Sequence, residues 1–329
     1  MKSTESALQP LKKIVNLEPS TLQVTWVMNN ICSNACTYCL PSLYAGTNHN
    51  YDWLNAKEFI RTVINRYKSS HWSVSGGEPT MSPFFPEFIR MIKDSGNTVG
   101  ITTNGVKPVK YMEKIAHDLN YIAYSYHPEY TNDQEFIEKV LTTNPISTSP
   151  VRVMMHADPK LWDKSKALIK RLSKNPTISY ESVKVTPYKG VAKYAFDYSP
   201  EQLEWFGDIK SSQFGRMETQ VDSSPAMKAL LIDENDTAYD TDNISPVEWI
   251  NQGLTNFNGW KCNIGLESLF IGTTGHIERG NCIVGGIIGH LDNPQEVQWP
   301  TKAVTCNVDI CHCATDMFIS KSKLHSELK

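Results

Sequence analysis

The sequence predicts an α/β fold, in which a partial (β/α)6 barrel is followed by a small cysteine-rich module with a β-hairpin. Two observations predict the barrel in this chain of 329 residues: strand and helix patterns alternate six times, and the polar motifs follow the strands. A third observation predicts the C-terminal module, because five of the eight cysteines come after residue 260. Residues 40–261 contain no cysteine and separate the two groups.

The alternation begins at residues 22–28, which are β-branched and apolar. The predicted strands are residues 22–28, 72–75, 98–102, 121–126, 151–156 and 183–186. The predicted helices are residues 55–67, 83–95, 111–119, 133–141, 161–172 and 200–209. Ser82 before Pro83 is typical of a helix N-cap, and Gly96 of a helix end. Six such units predict parallel strands covered by helices, and the chain is short for a complete eight-stranded TIM barrel.

From about residue 211 the alternation fails. The predicted organisation is therefore an N-terminal extension (1–20), the barrel (21–210), a connecting segment (211–259) and the C-terminal module (260–329). Within that module, residues 268–271 and 276–279 flank Gly272-Thr-Thr-Gly275 and predict a β-hairpin.

Composition predicts a soluble cytoplasmic protein. Hydrophobic residues make up 40% of the chain and charged residues 20%, as in ordinary globular proteins. We find no run near the roughly 20 apolar residues of a membrane helix, and no apolar signal core. The net charge of -3 gives no support for a broad nucleic-acid surface, although a small basic groove stays open.

Three cysteines, Cys32, Cys36 and Cys39, lie in the loop after the first predicted strand. In a chain without an export signal, such close spacing indicates metal binding or catalysis rather than disulfides. Three thiolates can hold three irons of a four-iron cluster and leave the fourth iron open to a small molecule. The alternatives are a zinc site completed by a distant ligand, or three unrelated buried cysteines.

This Cys-X3-Cys-X2-Cys loop resembles that of the radical S-adenosylmethionine (SAM) superfamily, and later motifs extend the resemblance. Tyr38 stands where the family has an aromatic residue against adenine. The segment Ser75-Gly76-Gly77-Glu78-Pro79 stands where the family binds the methionine end of SAM, with paired glycines that allow close backbone approach. Further candidates for polar contacts with the cofactor follow later strands: Asn104, Ser125, His127, His156 and Tyr188.

These later candidates have structural alternatives. Asn104 before Gly105 is also a favoured turn pair. The position of His127 and His156 at strand ends favours structural histidines over cofactor contacts, and Tyr188 is equally compatible with packing.

The resemblance implies a specific chemistry. The amino and carboxylate groups of SAM would bind the open iron of a catalytic 4Fe-4S cluster. One electron, from a reductase or a flavodoxin or ferredoxin, would cleave SAM to methionine and a 5'-deoxyadenosyl radical that removes a hydrogen atom from the substrate. Such an enzyme is expected to be oxygen-sensitive.

The second cysteine group resembles the twitch and SPASM modules, which bind auxiliary iron–sulfur clusters. Cys262, Gly275 and Cys282 match the opening of those modules, and the remaining cysteines are Cys306, Cys311 and Cys313. Four thiolates fill one auxiliary 4Fe-4S cluster. The fifth cysteine, expected to be Cys311 or Cys313, is a candidate hydrogen-atom donor. The alternatives are a structural zinc site and ligation by His312.

The substrate stays open at this level. Relatives with auxiliary clusters modify peptides, protein side chains, aminosugars or nucleotides. Because only about twenty residues precede the first predicted strand, we expect no separate leader-peptide module, which slightly disfavours leader-guided peptide maturation. We expect a peptide or protein side chain or a small metabolite, with a nucleotide or nucleic-acid base as the alternative. A non-enzymatic zinc or iron–sulfur protein is the alternative of another class.

Overall fold

The computed structural model describes residues 10–46, 50–185, 198–206, 217–218, 228–241, 249–250 and 253–323. Tyr188 and much of the predicted connecting segment lie outside the described residues. So do residues 207–209 of the sixth predicted helix and residue 186 of the sixth predicted strand.

Two sheets organise the described residues. In chain order the strands are β1 (Leu11–Asn16), β2 (Thr21–Val27), β3 (Ser69–Ser75), β4 (Thr98–Thr103), β5 (Tyr121–Tyr126), β6 (Val151–Met155), β7 (Tyr180–Lys184), β8 (Met217–Glu218), β9 (Ala229–Asp233), β10 (Ala238–Asp240), β11 (Lys261–Cys262), β12 (Ser268–Ile271), β13 (His276–Glu278), β14 (Ile287–His290), β15 (Val304–Thr305) and β16 (Lys321–Ser322). The helices are α1 (Trp53–Arg66), α2 (Phe85–Asp94), α3 (Val109–Ala116), α4 (Asp133–Thr143), α5 (Pro159–Leu172), α6 (Pro200–Phe206) and α7 (Ala314–Phe318).

The larger sheet confirms the partial barrel. Its order is β14-β13-β12-β2-β3-β4-β5-β6-β7-β8, and the six strands from β2 to β7 are parallel to one another. Helices α1 to α5 connect these strands in succession. All six predicted strand–helix units are therefore present, with ends shifted by a few residues.

The two faces of the barrel strands differ in polarity because successive side chains alternate. Trp26 and Trp72 lie on the outer face, where their rings pack on Phe88 of α2 at centroid distances of 5.2 and 5.6 Å. Burying each such aromatic side chain stabilises the fold by roughly 2–3 kcal/mol. The alternate positions form the inner face and are largely polar.

The start of α2 differs from the prediction. Ser82 is not its N-cap, because residues Pro79–Met81 form a 3-10 turn and the backbone N–H of Ser82 donates to the carbonyl of Pro79. The helix begins only at Phe85, with Phe84 as a cap that has no side-chain hydrogen bond. The 3-10 turn therefore takes up the residues that the sequence pattern places at the helix start.

The smaller sheet joins both ends of the described chain. Its order is β10-β9-β1-β16-β11-β15, and β1, which lies in the predicted extension, pairs with β16 through Lys13 and Ser322. A separate apolar core beneath it includes Ile14 and Phe318.

The predicted hairpin is confirmed and is continuous with the barrel. Strands β12 and β13 are antiparallel, with Phe270 opposite Glu278. Strand β12 also lies parallel to β2, with Leu269 opposite Val24. Residues of the predicted C-terminal module thus extend the barrel sheet at its first strand. Among the described residues, no helix is long and apolar enough to span a membrane.

Candidate functional site

The cysteine loop follows β2 and is bound to the loop after β3 by main-chain hydrogen bonds. The backbone N–H of Gly77 donates to the carbonyl of Asn29 at 2.8 Å, and that of Glu78 donates to the carbonyl of Ile31 at 2.7 Å. The side-chain amide of Asn29 donates to the carbonyl of Glu78 at 3.0 Å. These contacts fix the start of the cysteine loop at the carboxyl end of the barrel.

The two glycines are required by this close approach. A Cβ atom on Gly76, whose φ is +149°, would lie 2.6 Å from the carbonyl oxygen of Asn29. A Cβ on Gly77 would lie 2.4 Å from the carbonyl oxygens of Ile31 and Leu43. The sequence predicts that these glycines contact SAM. In the structure they let the cysteine loop lie against the glycine loop, and contact with SAM stays a prediction.

The side chain of Glu78 binds protein donors. It is fully buried, and its carboxylate accepts hydrogen bonds from the N–H and hydroxyl of Thr80 (3.0 and 2.6 Å), the hydroxyl of Thr103 (2.8 Å) and the N–H of Asn104 (2.7 Å). Burial raises the pKa of this carboxyl, and the hydrogen bonds act in the opposite direction. Glu78 therefore ties the glycine loop, including Pro79, to the end of β4.

Asn104 closes a turn and also reaches the cysteine loop, while its contact with the cofactor stays a prediction. Its side-chain oxygen accepts from the N–H of Val106 at 2.9 Å, which closes a turn. Its amide nitrogen lies 3.5 Å from Sγ of Cys32. Asn104 thus contacts one of the candidate cluster ligands.

The loop after β5 holds the other half of the cysteine loop. Oη of Tyr38 lies 2.8 Å from Nδ1 of His127, and the two rings stack with centroids 5.8 Å apart. The carboxylate of Glu129 accepts from the N–H and hydroxyl of Thr37 at 3.2 and 3.0 Å. The hydroxyl of Tyr130 donates to the carbonyl of Ala35 at 3.0 Å. Sequence reasoning missed Glu129 and Tyr130, although they follow His127 closely at a strand end.

His156 also contacts the cysteine loop. Its Nδ1 accepts from the N–H of Asp158 at 3.0 Å, so the proton belongs on Nε2, which lies 3.3 Å from the hydroxyl of Thr37. Burial lowers the pKa of His156, and it lowers the pKa of His127 to about 4. Both imidazoles are therefore neutral near pH 7.

The inner face of the barrel continues from this site as a polar wall. Ser125 is buried on β5, opposite Arg152 in the register of β6. Nε of Arg152 donates to Glu181 at 2.5 Å, and the hydroxyl of Tyr121 donates to that of Ser73 at 3.0 Å. Hydrogen-bonding groups of several types therefore face the barrel interior.

The three cysteines of the loop are free thiols, and burial raises their pKa values, that of Cys36 to about 12. Besides burial, nearby negative charges, including those of the other cysteines when ionised, raise the pKa values of these thiols, and only hydrogen bonds lower them. An unliganded loop thus carries neutral thiols, which is unsuited to a nucleophilic cysteine. Coordinated metal displaces such protons, so the donor set fits a metal cluster.

The described residues contain no three His, Cys, Asp or Glu side chains arranged around a single metal ion. A four-iron cluster has a different requirement, because each thiolate binds its own iron and the sulfurs stand further apart. The loop is therefore compatible with a cluster.

The second cysteine group comes together around α7. Cys262 lies on β11, Cys282 follows β13, and Cys306 follows β15. Cys311 and Cys313 precede α7, and Cys313 is its N-cap. Each of Cys262, Cys282 and Cys313 has a thiol that accepts a backbone N–H two residues further along the chain.

Burial raises the pKa values of four of these thiols, that of Cys282 to about 11 and that of Cys313 to about 12. The buried carboxylate of Asp316 acts in the same direction on each of them. Its oxygens accept from the N–H of Asn281 at 2.8 Å and the hydroxyl of Ser268 at 3.3 Å. All five cysteines are free, and His312 is exposed.

A protein-family model matches this region. Residues 26–181 match the model of the radical SAM superfamily. The matched segment begins within β2 and ends within β7, so it contains the cysteine loop, the glycine loop and the β5 loop.

Curated relatives match only part of the chain. A GTP 3',8-cyclase of Photorhabdus laumondii is 33% identical over 85 residues, which are 24% of this chain and 25% of that enzyme. GTP 3',8-cyclase 1 of Mycobacterium tuberculosis is 34% identical over 84 residues, 23% of each chain. The match thus spans about a quarter of the length of these relatives.

A solved structure is similar over most of the chain. It is described as native anSMEcpe with bound AdoMet, and it matches with a TM-score of 0.50 and 12% identity. The similarity covers 83% of this chain and 78% of that one. At this identity the likeness concerns the fold.

Proposed function

We propose that this chain, which carries a radical SAM domain in residues 26–181 and is an enzyme of that superfamily, cleaves SAM reductively and removes a hydrogen atom from a substrate. The superfamily implies a 4Fe-4S cluster and SAM, and we assign the cluster to Cys32, Cys36 and Cys39. When bound, these cofactors supply a 5'-deoxyadenosyl radical and methionine by one-electron cleavage of the sulfonium C–S bond of SAM.

The observation that carries this proposal is the way the cysteine loop is held. Main-chain bonds to the glycine loop fix one side, and His127, Glu129 and Tyr130 bind the other. A loop held from both sides places its thiols in advance, so little ordering is needed when metal binds. The neutral thiols, that of Cys36 buried and those of Cys32 and Cys39 half-buried, are also less reactive towards other groups than thiolates would be.

The residues around the loop suit the tasks of holding SAM. We assign Tyr38 to the adenine, the loop of Gly76, Gly77, Glu78 and Pro79 to the methionine end, and Asn104, Ser125 and His127 to polar contacts. His127 is neutral and is bonded to Tyr38, so the pair can orient a ligand without adding charge. The Asn104 amide, next to Cys32, can stabilise charge on a liganding sulfur.

We further propose one auxiliary 4Fe-4S cluster on the C-terminal cysteines. Backbone N–H groups directed at Cys262, Cys282 and Cys313 support these three as ligands, because such bonds stabilise a thiolate. The fourth ligand then comes from Cys306 or Cys311. The cysteine left over is the candidate hydrogen-atom donor, and Cys313 becomes a weaker candidate than Cys311.

The polar inner face supports a polar substrate, which we assign to a peptide or protein side chain or a small metabolite. An alternative is a nucleotide, which the partial match to GTP 3',8-cyclases favours. We also propose cytoplasmic location and a flavodoxin, ferredoxin or reductase as the electron donor.

Anaerobic reconstitution tests the proposal. We expect about eight irons per chain and formation of 5'-deoxyadenosine after reduction with dithionite in the presence of SAM. The C32A/C36A/C39A variant should retain about four irons and form no 5'-deoxyadenosine. Ser42→Ala, at an exposed position just after the loop, is the matched control and should behave as the wild type.

Two other results would change the assignment. Zinc in place of iron, without cleavage of SAM, would contradict the enzymatic proposal. About four irons with normal cleavage would retain the radical reaction and remove only the auxiliary cluster.

A further inference from the structure

Lys321 is a buried lysine beside the C-terminal cysteines. Only 1% of its surface is exposed. Its ammonium group donates to the carbonyls of Asp316 and Met317, each at 2.7 Å, and lies 4.6 Å from the centroid of the Phe257 ring. A fully buried lysine is rare, because removing an ammonium group from water costs several kcal/mol.

The position of Lys321 in the sheet connects it to the cysteines. On β16 it lies directly opposite Cys262 of β11. Phe257, whose ring faces the ammonium, belongs to the same buried cluster as Cys306 and Cys311. The cation therefore sits within the region where several cysteines converge.

A direct ion pair does not explain the burial of Lys321. Within the described residues no carboxylate oxygen lies within 4.0 Å of its Nζ, since the contacts to Asp316 and Met317 are made with their carbonyls. The carboxylate of Asp316 instead accepts from Ser268 and Asn281. Carbonyl oxygens and an aromatic face supply no full negative charge, and the Asp316 carboxylate attracts Lys321 only from beyond ion-pair distance, so the desolvation cost is offset in part.

We infer that Lys321 supplies the positive charge that balances thiolates bound to the auxiliary cluster and raises the reduction potential of that cluster. This inference rests on the auxiliary cluster of the proposed function. A cluster held by four thiolates is negatively charged and gains a further negative charge on reduction. A fixed cation nearby stabilises the reduced form more than the oxidised form, because the attraction grows with the charge of the cluster.

The test is a redox titration of the full-length chain in the C32A/C36A/C39A background, where only the C-terminal cluster contributes. We expect Lys321→Met to lower the equilibrium constant for one-electron reduction at least about tenfold, which is about 59 mV towards more negative potential. Lys321→Arg keeps the charge and should stay close to the parent. Lys302→Met, at an exposed position of the same module, is the control for removal of a lysine from this region.

A second variant keeps the test decisive if Lys321→Met does not fold or bind iron. Lys321→Gln is neutral but keeps a side-chain N–H donor, and it should lower the potential as Lys321→Met does. Electrostatic control predicts more negative potentials for both neutral variants but not for Lys321→Arg, whereas a purely structural role predicts that Lys321→Arg shifts the potential as well.

The outcomes separate the inference from its premise. If the parent background binds no cluster, the auxiliary cluster itself is refuted. If it binds about four irons but neither Lys321→Met nor Lys321→Gln lowers the potential, or Lys321→Arg lowers it equally, the role of Lys321 is refuted and the cluster remains.

Discussion

Tyr38 and His127 are joined by a 2.8 Å hydrogen bond between Oη and Nδ1, and their rings are stacked. This pair connects the cysteine loop to the end of β5, so the ionisation of one ring bears on the position of the loop. It leads to a prediction about pH.

Replacing His127 should change how the stability of the iron-free protein depends on pH. Burial lowers the pKa of His127 from 6.5 to about 4, so the unfolded chain takes up this proton first as the pH falls. The stabilising contribution is complete above about pH 6.5 and is lost as the pH falls to about 4. In the wild type this loss amounts to about 3 kcal/mol in the free energy of unfolding. It should be absent in His127→Gln, as measured by urea unfolding under reducing conditions.

His117→Asn, at an exposed position, is the control and should keep the pH profile of the wild type. Equal slopes for wild type and His127→Gln between pH 6.5 and 4 would contradict the prediction.

Gly77→Ala should displace the cysteine loop. The added Cβ would lie 2.4 Å from two backbone oxygens, which cannot move without shifting the loop. We expect a loss of stability of about 1–3 kcal/mol and reduced iron at the site that contains Cys32. Gly272→Ala is the matched control, because the nearest atom to its Cβ would be 3.9 Å away. Comparable stability of the two variants would contradict the prediction, because it would show that the cysteine loop accommodates the added Cβ at little cost.

Glu78→Gln should weaken the hydrogen bonds by which the Glu78 carboxylate connects the glycine loop to the end of β4. One carboxylate oxygen would become an amide donor facing the protein donors of Thr80, Thr103 or Asn104. Leaving such a buried donor unsatisfied costs about 1–3 kcal/mol, measurable by urea unfolding of the iron-free chain. Glu113→Gln, at an exposed position, is the control. An unchanged urea midpoint for Glu78→Gln would argue against a stabilising role for these hydrogen bonds.

Ile283→Asn should stabilise the iron-free protein. Ile283 directly follows Cys282 and has a φ of +62°, which a β-branched residue adopts only with strain. Asparagine tolerates this conformation, and the isoleucine residue is 57% exposed, so little burial is lost. We expect a gain of about 1 kcal/mol by thermal or urea unfolding. Ile287→Asn, equally exposed but without positive φ, should not stabilise.

The barrel is predictable from sequence because its signals are local. The barrel strands are short apolar or β-branched runs, β3 and β6 with alternate burial, and the helices that follow have apolar stripes, so patterns within about a dozen residues identify both. The cysteine and glycine loops are recognisable for the same reason, since their residues are adjacent in the chain.

The rest depends on contacts between distant residues. Strand β1 pairs with β16 about three hundred residues later, and no local pattern announces that partner. Glu129 and Tyr130 gain their roles only because the β5 loop meets the cysteine loop. Lys321 is one of many lysines in the sequence, and only the fold buries it.

The parallel pairing of β12 with β2 has a consequence for how the chain is made. Until residues 268–271 have been synthesised, the first barrel strand has an unpaired edge, and its backbone N–H and C=O groups are open to other chains. A nascent or truncated chain that ends before residue 268 is therefore an aggregation hazard even though all six barrel strands are present. The β12–β13 hairpin thus covers the exposed edge of β2. Expression of the barrel alone requires that edge to be covered in another way.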